Sequence, residues 1–97
     1  MPKIQVSKTH SLPREELESK VEQYLTKLRD DKLKSVGFGF AWKPDRRKID
    51  LTGTGFKGEV TVGDQEVAIF IDLGLMLTPF KATVEDSLKR GLDKYLV

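Results

Sequence analysis

The chain reads as an α+β protein with the element order β-α-β-β-β-β-α, on three observations. Apolar residues alternate along five short segments, they recur at helical spacing along two longer ones, and short turns join the last four strands. Alternation marks strands buried on one face, and a recurrence near the helical period marks an amphipathic helix. Short turns force antiparallel neighbours, so the last four strands form a meander. Every strand has one apolar side, so both helices belong on the same face of the sheet.

The first strand is KIQVS, with Ile4 and Val6 inward and Lys3, Gln5 and Ser7 outward. HSLPREELESKVEQYLTKLRD then opens a helix whose apolar stripe is Leu17, Val21, Tyr24, Leu25 and Leu28. Glu15, Glu16 and Glu18 crowd its first turns, and Lys27 and Arg29 its last, as the helix dipole favours. With Pro13 at the N-cap, Leu12 can staple onto Leu17. DDKLKS is a polar connection.

SVGFGFAW places Val36, Phe38, Phe40 and Trp42 on the inner face and Gly37, Gly39 and Ala41 on a bare outer one. KPDR is a turn, with Pro44 presetting its backbone. RKIDLTG returns with Ile49 and Leu51 inward, GTGFKG reads as irregular or bulged, and EVTV places Val60 and Val62 inward. After a GDQ turn, EVAIFIDLG points Val67, Ile69, Ile71 and Leu73 inward. Thr78-Pro79 reads as an N-cap followed by proline at the first helical position. Phe80, Val84, Leu88, Leu92 and Tyr95 follow near helical spacing, with Leu96 beside them.

The helix after the first strand acts as a crossover, so strands one and two can run in the same direction. Four meander strands then leave strand five antiparallel to strand one. The expected order is 1-5-4-3-2, a five-stranded, mainly antiparallel sheet with two helices on one face. This arrangement looks like a reduced helix-grip fold, in a single α+β domain over residues 1–97.

Composition excludes several function classes. The 97 residues hold no cysteine, which removes disulfides, thiolate catalysis and cysteine-ligated zinc, and fits a reducing cytosol. One histidine, His10, rules out histidine-rich metal sites and paired-histidine mechanisms. The N-terminal MPKIQVSKTH lacks an apolar leader core, and no run approaches membrane-spanning length. A cytoplasmic protein is expected. The net charge of +2 is small for a nucleic-acid protein, so nucleic acid is disfavoured as a partner.

Four pieces, in this order and spacing, carry a family resemblance. They are HSL at 10–12 before the Glu-rich helix, GFKGEV at 55–60, LGLMLTPFK at 73–81, and LD at 92–93 in the terminal helix. Together they resemble the small bacterial polyhydroxyalkanoic acid system proteins, over roughly residues 3–96. Pro13 stands where that pattern has a small polar residue. The resemblance implies an accessory role around polyhydroxyalkanoate storage granules, contacting the granule surface or a granule-associated protein. It transfers no catalytic residue.

The residues themselves give no catalytic, cofactor-binding or metal-binding set, and a non-enzymatic protein without cofactor is expected. His10 could be a lone base near Glu15 or Glu16, but it reads better as a polar residue entering a helix. Asp72 falls on the outer, solvated face by parity. Gly53, Gly55 and Gly58 are spaced loosely like a phosphate loop but lack the lysine-serine pair and the following helix, so a bulge or tight bend is the better reading. Two surfaces remain as candidates. Lys43, Arg46, Arg47 and Lys48, beside Trp42, form a basic hairpin tip that could meet an anionic surface or nucleic acid. Leu75, Met76 and Leu77 sit between Leu73 and Phe80, both expected in the core. They either plug the corner or offer an apolar contact to a partner, an acyl chain or a granule. Phe70, outward on strand five, is a further candidate contact. The mostly polar outer face argues for a monomer or weak homodimer. The leading expectation is the accessory or binding role. Anionic-surface binding is the alternative, and an enzyme with a helix-grip pocket ranks last.

Overall fold

The computed structural model describes residues 3–32 and 37–96. Five strands, β1 (Lys3–Thr9), β2 (Gly39–Trp42), β3 (Lys48–Gly53), β4 (Phe56–Val62) and β5 (Glu66–Leu73), form one sheet in the order β1-β5-β4-β3-β2. Every pairing is antiparallel, as expected. The registers run Ile4↔Ile71, Val6↔Ile69, Ile69↔Val60 and Val60↔Ile49, so the inward residues of neighbouring strands stand in rows. Val36, expected inward on strand two, lies outside the described residues, and β2 is shorter than the alternation suggested.

Helix α1 (Arg14–Lys27) starts from Pro13 as N-cap, in extended backbone at φ −60° and ψ 152°. Proline is tolerated there because the donor it lacks has no partner inside the helix. The helix continues through one π turn, Leu28–Lys32. Leu17, Val21, Tyr24, Leu25 and Leu28 are buried, and Leu12 packs against the same cluster, the arrangement a hydrophobic staple requires. Helix α2 (Lys81–Tyr95) contributes Leu88 and Leu92, with Leu96 just beyond. These side chains join Ile4, Val6, Ile49, Leu51, Val60, Val62, Val67, Ile69, Ile71 and Leu73 in one core, so both helices cover one face of the sheet.

Two details depart from the sequence reading. The segment GTGFKG makes a tight bend, the second of the two readings, and is neither bulged nor irregular. The β3–β4 register runs unbroken from Lys48↔Thr61 to Gly53↔Phe56, leaving Thr54 and Gly55 as a two-residue hairpin turn. Gly55 takes φ +85°, which an L side chain adopts only with strain, so one positive-φ residue replaces the bulge. The second departure concerns the terminal helix. Thr78 does not cap it; a 3₁₀ turn occupies Leu75–Phe80, with Pro79 inside it, and α2 begins only at Lys81.

Candidate functional site

The corner after β5 is built by two glycines. Gly74 donates its backbone N–H to the Gly55 carbonyl at 2.7 Å, drawing the chain against the β3–β4 turn. A Cβ on Gly74 would stand 2.9 Å from that oxygen, so the approach needs glycine. The 3₁₀ turn then winds back on Gly74. Leu77 N–H reaches the Gly74 carbonyl at 3.0 Å, and the Thr78 hydroxyl faces the same oxygen at 3.4 Å. Leu77 is thereby held beside Gly55 and packs on the core edge.

Behind this turn is a cavity of about 280 Å³. Phe56, Ile71 and Leu73 of the sheet form one side, and Leu77, Phe80, Thr83 and Val84 the other. No charged side chain lines it. The same turn turns its remaining apolar residues outward: Leu75 is 83% exposed and Met76 86%. They are therefore not a plug. Fully burying one such side chain gains roughly 1.5–3 kcal/mol, and this fold leaves both gains unused. Phe80, expected in the core, is 54% exposed. The cause is a phase break. Phe80 closes a turn of about three residues at φ −96° and ψ 3°, so it leaves the 3.6-residue stripe that Val84, Leu88 and Leu92 follow.

The basic hairpin tip is engaged internally. Arg46 Nη2 lies 2.8 Å and Nε 3.1 Å from Glu18 Oε1, and its guanidinium stacks 4.2 Å from the centre of the Trp42 ring. Arg14 holds the other Glu18 oxygen through Nε at 3.0 Å and donates to the Val62 carbonyl at 2.7 Å and to the Arg46 carbonyl. Arg46 sits at φ +60°, unusual for a non-glycine residue, and this network is what holds it there. Burial opposes the charge on Glu18, but hydrogen bonds from Arg46 and Arg14, with their positive charges, outweigh it. The carboxyl is held below its ordinary value of 4.5. Lys43 pairs with Asp50 at 3.5 Å and Lys48 with Glu59 at 3.6 Å. Among the described residues, Arg47 alone of the four cations carries no ion pair. Sequence reasoning missed this clamp because Glu18 and Arg46 lie on different elements; only the Arg14–Glu18 spacing of four residues was visible.

Phe70 lies outward and 41% exposed, between Gln5 and Glu59 in the cross-strand register. It borders a shallow depression with charged walls, including Lys3, Lys57, Glu59 and Asp72. Asp72 is on the outer face, as parity required, with Lys3 Nζ at 4.0 Å from its Oδ1. His10 is satisfied locally. Its Nδ1 accepts from Leu12 N–H at 3.1 Å and its Nε2 donates to the Gly63 carbonyl at 3.0 Å. It thus joins the entry of α1 to the β4–β5 turn rather than facing Glu15 or Glu16. Among the described residues no group of acidic or histidine side chains is arranged to hold a metal ion, and no helix is long and apolar enough to cross a membrane.

Sheet, helices and corner together define a small α+β protein that carries a half-open apolar cavity with an exposed apolar lip. The family model described as putative polyhydroxyalkanoic acid system protein matches residues 4–96, and the chain belongs to that family. No curated protein matches the chain, and no solved structure does.

Proposed function

We propose that this protein is a non-catalytic accessory of polyhydroxyalkanoate metabolism that attaches to the storage granule through its apolar corner, in the bacterial cytoplasm. The observation that carries the reading is the exposure of Leu75, Met76 and Phe80 within one six-residue 3₁₀ segment beside an apolar cavity. Soluble proteins leave such clusters open mainly where a partner or an apolar surface covers them. Family membership supplies the polyester context. The competing hairpin tip spends its Lys43, Arg46 and Lys48 charges on Asp50, Glu18 and Glu59. The outer face, ion-paired through Lys3–Asp72 and Lys48–Glu59, favours a monomer or weak dimer over a large apolar assembly.

Co-sedimentation with purified granules tests the reading. The protein should pellet with granules well above an unrelated basic control of similar size, and salt should not release it. Recovery equal to that control would refute the attachment.

A further inference from the structure

We infer that the corner cavity receives a medium-length alkyl branch of a polyhydroxyalkanoate chain, so that the protein distinguishes polyesters by branch length. The inference rests on the granule reading above and names what the site grips there.

The argument begins with volume. An apolar cavity of about 150 Å³ can take up benzene, so a cavity of 280 Å³ has room for roughly ten carbon-sized atoms. A methyl branch would leave that space nearly empty, whereas a branch of roughly five to nine carbons would fill most of it. The lining is also selective in kind. No lysine or arginine lines the cavity, so the carboxylate of a free hydroxy acid meets no partner there. A branch on a polymer brings no charge inside. Thr83 brings only apolar surface to the lining and is exposed, which places it at the mouth. Leu75 and Met76, on the turn that carries Leu77, are free to lie along neighbouring branches. Each methylene taken into the cavity should tighten binding roughly fourfold.

The test compares particles of poly(3-hydroxyoctanoate), with a pentyl branch, and poly(3-hydroxybutyrate), with a methyl branch, at equal surface area. The full chain should bind the pentyl-branched particles at least tenfold more tightly. Val84→Phe, which fills the cavity, should bring the two affinities to within about twofold of each other. Thermal melts check that this variant folds, and Thr83→Leu, at the more exposed position, fills the mouth if it does not. Equal affinity for both particles, unaffected by either variant, would overturn the cavity assignment and leave granule attachment standing. Binding to neither particle would overturn both.

Discussion

The two ends of α2 carry similar apolar content and meet opposite fates. At its C-terminal end Leu88, Leu92 and Leu96 are all buried, and Tyr24 of α1 lies against it with its ring centre 5.3 Å from that of Tyr95. Gly91 permits this approach, since a Cβ there would fall 2.3 Å from the Tyr24 ring. Lys8 and Asp93, at 3.1 Å, tie the same end to β1. At the other end the 3₁₀ segment that leads into α2 turns Leu75, Met76 and Phe80 outward, and Val84 lines an open cavity. The difference lies in what stands opposite. One end is matched by a second helix, and the other only by the β3–β4 turn and the rim of the sheet. Apolar residues near helical spacing therefore mark a core only where a partner element reaches them.

The largest effects should come from breaking the closed end. Leu92→Ala should destabilise the fold by about 2–5 kcal/mol in chemical denaturation, the range for a buried leucine. Gly91→Ala is sharper, because an exposed helical glycine replaced by alanine gains about 1 kcal/mol. Here the clash with Tyr24 should reverse that sign and cost about 1–2 kcal/mol. A gain would show that the helices do not approach as described.

Titration probes the same end and the hairpin clamp, with smaller effects. Burial, followed by the charge of Tyr95, pushes the Tyr24 phenol up to about 12 from 10.0. Its contribution to stability is fully present below the ordinary value and is lost as pH rises through the folded-state one. Tyr24→Phe should therefore flatten the alkaline side of the stability curve. Glu18 behaves in the opposite sense. Its pKa is lowered, so its contribution is present above 4.5 and is lost as pH falls through the folded-state value. Glu18→Gln should lower the melting temperature at neutral pH and match the native chain in acid.

Much of this fold was legible because strand alternation is a local signal. Ile4 with Val6 and Ile69 with Ile71 could face only one way, and the short turns then left few strand orders. The entry to α1 was legible for a similar reason, through Leu12, Pro13 and Leu17. The misreadings fall where backbone geometry depends on a distant contact. Thr78-Pro79 has the composition of a helix start, but the Gly74–Gly55 hydrogen bond turns the chain earlier and winds Leu75–Phe80 into a 3₁₀ turn. Phe80 lost its place in the core by that shift. The Arg46–Glu18 pair joins a turn to a helix, and nothing in either local stretch announces it. The corner residues were identified, while the cavity behind them was not, because its walls come from β4, β5 and α2 together.

The open end should respond to substitution in function rather than in stability. Leu75→Ser with Met76→Ser removes two exposed side chains, so stability should stay within about 0.5 kcal/mol of the native chain. The most direct measurement is granule co-sedimentation of this double variant beside Lys43→Gln with Arg47→Gln at the hairpin tip. The corner variant should lose at least tenfold in granule affinity while melting normally, and the tip variant should bind as the native chain does. Full binding by the corner variant, or loss confined to the tip variant, would contradict attachment through the apolar corner.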